Sequence, residues 1–388
     1  MRTLSIISFI YIVGSFNGYA STKWSQQEFA VIATLAQNST EIYQESISET
    51  NLATNIAITK LFEGVGLKGN VVISSADFSE SSENISVSSK VDYDVALESR
   101  LFINSLVDID LSLSKSDTLG ATSLEKARFQ NQFSNVVQRL RDQQSVIVSI
   151  GSAAKNRSLV LSAQRSARTE YLYDVDQLFK DETIVSGYLI YSDRFSEDSH
   201  FLFRVGQYVT ESEFNQQSQQ AFDTVLDVTN TYVGMKTSYL GNSQLSILIG
   251  NSHQFAESNS QESDLFSWSI TNKLNITENV QFDLGTSRRI SGSPDPAFQS
   301  VELTGYEMTF AWKVSQNVRL VTDANYQDYQ FEAGTSASSL DVKQSLFWQL
   351  SDHLSVNSSV SYQDFDGSRS ALVHDGLNWS VGINWELF

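Results

Sequence analysis

The chain has 388 residues, no cysteine, two prolines and a formal net charge of −19, from 45 acidic against 26 basic residues. That balance speaks against a nucleic-acid partner, whose phosphates it would repel, and the absence of cysteine excludes disulfides and thiolate metal centres. Mean hydropathy is below zero, and beyond the N-terminus no stretch is apolar for the ~20 residues that a spanning helix needs, so a membrane-embedded form must use strands.

The chain opens with Arg2, an apolar run from Leu4 to Phe16, and small residues at Gly18 and Ala20. A positive start, a short apolar core and a small-x-small end predict a secretory signal peptide over residues 1–20. Residues 21–388 contain no linker composition and read as one domain. The two prolines, Pro294 and Pro296, share one loop, which suits many uninterrupted strands.

Candidate strands then follow at 27–37, 49–60, 65–77, 85–96, 99–114, 125–137, 143–151, 156–165, 182–192, 198–210 and 229–240. Two polar segments among them, 166–181 and 211–228, are candidate loops for folding inward. Gly64-x-Gly66-x-x-Gly69 has the spacing of a dinucleotide-binding loop, but that loop must open a helix. Here Asn70-Val71-Val72-Ile73 continues as strand, so the glycines read as a hairpin turn.

The C-terminal half is more regular. Short polar turns fall at Gly241-Asn242, around Asn275 to Glu278, at Ser315-Gln316 and at Ser351-Asp352, and longer polar stretches lie between them at 255–263, 291–302, 332–340 and 364–376. Alternating short and long connections are the asymmetry of an outer-membrane barrel. Between the turns, apolar residues recur at every second position: Phe266, Trp268, Ile270; Val280, Phe282, Leu284; Tyr306, Met308, Phe310, Trp312; and finally Leu377, Trp379, Val381, Ile383, Trp385, Leu387. Period two places such residues on one face of a strand. In a bilayer that face is solvated by lipid, whereas in water it would be sticky.

This half contributes eight strands, which makes the whole set odd, although single-chain barrels of this kind are even. The short–long alternation also loses phase between Leu106 and Thr183, so one candidate there is spurious. The expected fold is all-β, a transmembrane antiparallel up-and-down β-barrel of about 18 strands, with 16 as the alternative.

Aromatic placement supports a bilayer. Tyr239, Trp312, Trp348 and Trp385 fall at one strand end, and Phe266, Tyr306, Tyr326, Tyr362 and Trp379 near the other. Trp268, Tyr306, Trp312, Trp348, Trp379 and Trp385 are therefore candidates for the aromatic belts of the two membrane interfaces. The opposite phase carries Asp283, Arg289, Glu307, Lys313, Arg319 and Asp323, the candidate lumen-lining residues. Arg204, Lys273 and Lys343 join the cations on this phase, and Asp341 and Glu386 the anions, so the acidic excess falls mainly in loops and ends. Such an exterior is a solvated surface suited to periplasmic transit, with outer-membrane lipid and lipopolysaccharide as surroundings.

The four histidines, His200, His253, His353 and His374, lie on separate hairpins without metal-ligand spacing. No catalytic, metal or cofactor-binding site is predicted, and the chain reads as a non-enzyme.

The runs TYVGMKTSYLGNSQLSILIGNSHQF (231–255), SWSITNKLNITENVQFDLGTSRRISGSPD (267–295) and the closing LNWSVGINWELF resemble the β-barrel porins encoded with exopolysaccharide or biofilm-matrix biosynthesis operons. The resemblance covers about the last 160 residues, on a glycine-bearing hairpin, a strand ending in Arg288-Arg289 and a terminal aromatic. It implies an outer-membrane pore supporting export or assembly of a polysaccharide, with no cofactor and with periplasmic export machinery as a partner. One departure is Phe388, a residue out of step with Trp385 and Leu387, where barrel-assembly signals of this kind keep the terminal Phe in phase. A general diffusion porin and a structural or adhesive surface barrel are the alternatives.

Overall fold

The computed structural model describes residues 27–42, 45–62, 65–80, 90–104, 106–121, 136–151, 157–172, 177–216, 219–240, 243–256, 261–293, 300–331, 334–367 and 374–386. The expected signal peptide and the terminal Phe388 lie outside them. The described residues form one 18-stranded sheet.

In chain order the strands are β1 Gln27–Ile42, β2 Glu45–Phe62, β3 Val65–Glu80, β4 Lys90–Asn104, β5 Val107–Ala121, β6 Val136–Gly151, β7 Arg157–Leu172, β8 Gln177–Arg194 and β9 Ser199–Gln216. They continue as β10 Gln219–Tyr239, β11 Ser243–Ala256, β12 Gln261–Thr277, β13 Val280–Gly292, β14 Ser300–Lys313, β15 Val318–Phe331, β16 Ser336–Ser351, β17 Leu354–Gly367 and β18 His374–Glu386. Every strand pairs antiparallel with its chain neighbours. β18 then closes onto β1 from Ile32↔Glu386 to Ile42↔Gly376. The fold is an up-and-down barrel with no free edge, so its strands satisfy one another's backbone polar groups as hydrocarbon demands.

The spurious candidate is now placed. The four segments 85–96, 99–114, 125–137 and 143–151 resolve into three strands, β4, β5 and β6. β4 ends at Asn104 and β5 begins at Val107 with no glycine or proline between them, so LFINSLVDIDL reads through as one apolar run. Several connections in the N-terminal half are also shorter than the candidate strands left them. Connections 43–44, 173–176 and 217–218 are short where long ones were expected, because the flanking strands extend instead. Hence 166–181 and 211–228, expected as inward-folding loops, belong largely to β7, β8, β9 and β10. Gly66 and Gly69 lie within β3, which begins at Val65, so strand and not helix follows the glycine-rich turn.

One face of the sheet is apolar and exposed: Val381 is 43% exposed, Leu346 37%, Trp348 47% and Trp385 58%. Such exposure along a continuous stripe would cost heavily in water and nothing in lipid. Trp312 pairs with Val280 and Leu320, Trp348 with Val318 and Val356, and Trp385 with Leu354, all beside the short turns. Tyr306, paired with Tyr326, lies toward the other end, as do Phe266, Tyr362 and Trp379.

Candidate functional site: a narrowed polar interior

Side chains of strands that are not neighbours in the sheet can meet only on its concave side. Leu226 and Val228 of β10, Leu265 of β12 and Ile290 of β13 form one buried cluster with Tyr208 of β9 packed against it. Through register, Leu226 and Val228 share a face with Tyr208, Arg204 and Gly206 on β9 and with Gln254 on β11. That face is therefore the inner one.

Asp283 opposes Lys273 and Thr309, Glu307 opposes Gly285 and Asn325, and Lys313 opposes Arg319. Asp323 opposes Thr309 and Lys343. Arg289 falls in the same alternation, two steps from Ser287. All six candidate residues thus share one face, opposite the stripe that carries Phe282, Phe310 and Leu320. Gln281 donates to Asp283 at 2.7 Å and Thr309 to Asp323 at 2.7 Å. Gly285 leaves room for Glu307, whose Cβ and Oε2 lie 3.5 and 3.6 Å from where a glycine Cβ would stand.

The wall from β3 to β8 carries charges of its own, which the unclear N-terminal pattern hid. Arg100 bonds Asp108 and lies 3.5 Å from Asp110. Glu170, fully buried, receives Arg139 at 3.3 Å and Arg168 at 2.5 Å. Lys68 and Glu98 stand 3.5 Å apart. Between these pairs, hydroxyls bridge adjacent strands, as in Ser112–Ser145 at 2.8 Å and Ser359–Ser380 at 2.7 Å. Cross-strand pairing of opposite charges and hydroxyls satisfies a polar interior without a packed apolar core.

Toward the long-loop end the interior narrows. Pairing of β12 with β13 stops at Trp268↔Arg288, while β12 continues beside β11 as far as Gln261. The last residues of β13 pair with β14 alone. Freed from β12, this hairpin end leans inward: β13 touches β10 and β11, and Ile290, although in phase with the lipid-facing stripe, is 2% exposed against the inner surface of β10 and β12. The Tyr208 hydroxyl donates to the Ile290 carbonyl at 3.0 Å and pins the end in place.

Beside it Val301, Leu303, Tyr329, Phe331, Ala337 and Phe365 form a second buried cluster. A cavity of about 520 Å³ lies at the fork, lined by Gln254, Ser263, Ile290, Ser300, Glu302 and Thr335 among others. Here apolar residues cross to the polar phase. Val301, Leu303, Tyr329 and Phe331 alternate on the same face as Arg289 and Glu307, and that switch is the signal from which the narrowing could have been read. Among the described residues, no group of histidine and carboxylate side chains is placed to hold a metal ion.

No known sequence family matches this chain, and no curated protein does. By structure it is similar to the FrpB iron transporter of Neisseria meningitidis (F3-3 variant) at a TM-score of 0.57 and 9% identity, over 90% of this chain and 64% of that one. It is similar to Pseudomonas aeruginosa OccK2 (OpdF), crystallised with glucuronate, at 0.52 and 13% identity, over 93% and 98%. Acinetobacter baumannii OccAB2 gives 0.50 and 9% identity over the same shares. The chain spans less than two thirds of FrpB and nearly the whole of the Occ barrels. At these identities the likeness establishes architecture: fold and interior together define an outer-membrane β-barrel, the class on which porins and transporters are built.

Proposed function

We propose that the protein is a pore of the bacterial outer membrane, made as a precursor with residues 1–20 as its signal peptide, which passes a hydrated glycan chain in exopolysaccharide export or assembly. The observation that carries the pore reading is the closed barrel with a charged and hydroxyl-rich concave face. A barrel of this strand number is wide enough for an aqueous lumen, and Asp283, Arg289, Glu307, Lys313, Arg319 and Asp323 are its proposed lining. Hydrogen bonds to such a wall exchange for those to water at little net cost, so a polymer slides without being trapped. The polysaccharide reading rests on the resemblance of the C-terminal runs, and periplasmic export machinery would be the partner. Trp268, Tyr306, Trp312, Trp348, Trp379 and Trp385 would sit at the lipid interfaces.

The narrowing at the β13–β14 end favours a second reading, a diffusion porin for small solutes, because a hairpin end pinned across a lumen limits size. Planar-bilayer recording with neutral oligosaccharides of increasing length separates the two. A glycan channel shows current interruptions whose duration grows with chain length, whereas exclusion of everything beyond a disaccharide, with no interruption, would overturn export in favour of diffusion.

A further inference from the structure

Resting on the glycan-pore reading, we propose that the cavity at the fork of β12 and β13 binds a neutral sugar unit, held by Gln254 and Thr335 against Ile290, Val301 and Phe331. The first support is the cavity's origin. Beyond Trp268↔Arg288 the two strands part, and residues of both phases then line one space: Gln254, Ser263 and Val301 of the inner phase with Ile290 and Glu302 of the outer. A continuous ladder would keep those two sets on opposite sides of the wall. At about 520 Å³, the space falls within the range of pockets that hold small ligands.

The second support is buried polarity without partners. Gln254 lines the cavity and is 3% exposed, and among the described residues its amide oxygen meets no hydrogen-bond donor. The shielded Thr335 hydroxyl, also in the lining, likewise has no partner there. Leaving such groups unbonded costs free energy. A turn of either side chain toward a ligand recovers it: a ligand hydroxyl donates to the amide oxygen, and with the Thr335 hydroxyl it can donate or accept.

The third support is the character of the lining, which selects the ligand. Ser263, Ser300, Gln330 and Ser336 add hydroxyls and a second amide. Among the described lining residues Glu302 alone is charged, and Arg288 donates to it at 3.0 Å. The cavity therefore offers neither an unpaired cation to an anion nor an unpaired carboxylate to a cation. Ile290, Val301 and Phe331 supply an apolar wall. Water satisfies the polar groups but leaves that wall wet, whereas a sugar ring covers it with its C–H face while its hydroxyls reach the amides and hydroxyls. The hydrogen bond from Tyr208 to the Ile290 carbonyl fixes one edge of the cavity, so the sugar is held where the lumen narrows.

The test is calorimetric titration of the detergent-solubilised barrel with maltose, cellobiose and lactose as neutral probes, and with sodium glucuronate and glycerol for comparison. Wild-type protein, Gln254→Leu, Thr335→Val and the double variant are compared, with Gln164→Leu on β7 as a control outside the site. At least one disaccharide is expected to bind at least tenfold more tightly than glucuronate or glycerol. Each single variant should lose at least threefold and the double variant at least tenfold, with Gln164→Leu losing nothing. Because a buried group without a partner adds nothing to the folded state, the urea midpoints of Gln254→Leu and Thr335→Val should equal or exceed that of the wild type, which separates lost binding from lost structure. Binding of none of the three disaccharides, equal binding of glucuronate or glycerol, or undiminished binding in the folded double variant would overturn the site. A barrel that binds a neutral disaccharide in this way but carries no ion current would leave the site standing and overturn the pore reading. A conducting barrel indifferent to all three would do the reverse.

Discussion

Replacing Val381 with arginine tests the orientation of the whole sheet. Val381 is the middle residue of the stripe Leu377, Trp379, Val381, Ile383, Trp385, each of which is at least 39% exposed. At ~3.4 Å per residue and ~40° tilt, the interval from Leu377 to Trp385 covers about 27 Å of strand and about 20 Å of membrane normal, close to the ~25 Å apolar band of such barrels. Val381 therefore sits near the bilayer centre, where arginine costs about 2–4 kcal/mol. Ser380, its neighbour, faces the interior and bonds Ser359 at 2.7 Å. Ser380→Arg forfeits that bond, about 1 kcal/mol, and leaves its charge in the lumen. Urea-dependent folding into phospholipid vesicles, followed by tryptophan fluorescence, reads both. Val381→Arg should be the less stable by at least ~1 kcal/mol; equal losses, or the reverse order, would refute the orientation.

Three further outcomes follow from particular contacts. Gly234 and Gly250 sit where an added Cβ would stand 1.8 Å from the backbone oxygens of Ile247 and Thr231, whereas Gly69 has nothing within 4 Å; alanine at either of the first two should abolish the heat-resistant folded band on electrophoresis, and Gly69→Ala should preserve it. Tyr208→Phe removes the hydrogen bond to Ile290, worth about 1 kcal/mol, and should raise single-channel conductance by freeing the β13–β14 end; unchanged conductance would count against that end as the constriction. Glu170→Gln leaves Arg139 and Arg168 without their shared buried carboxylate and should destabilise the barrel by about 3 kcal/mol in the same urea assay, with selectivity moving toward anions by reversal potential.

How much of this was legible in sequence follows from where hydrocarbon lies. In β11–β18 one face meets lipid, so Trp312 to Met308 and Trp385 to Leu377 alternate cleanly and the strands could be read. Where strands rise above the apolar band, both faces are polar and period two vanishes. Residues 211–216, Glu-Ser-Glu-Phe-Asn-Gln, look like loop and are strand. No glycine or proline separates β4 from β5, so the candidate strand 99–114 ran from the end of one into the other and displaced the strand bounds on either side. The narrowing at the β13–β14 end left one trace in the sequence, the apolar residues Val301, Leu303, Tyr329 and Phe331 on the polar phase, but Ile290 itself gave none. Ile290 alternates like any lipid-facing residue, and alternation reports which phase a residue occupies but not whether its strand has left the wall. The inner-face parity of Arg204, Arg289 and Glu307 was readable from alternation alone.

The central claim is that one phase of the sheet faces water inside and the other faces lipid. Single cysteines at Asp283, Arg319 and Asp323, against Phe282, Phe310 and Leu320, test it in a chain that has no cysteine of its own. In vesicle-reconstituted protein a charged, membrane-impermeant thiol reagent should label the first three and spare the second three. Equal labelling of the two sets, or labelling confined to the apolar set, would contradict the account.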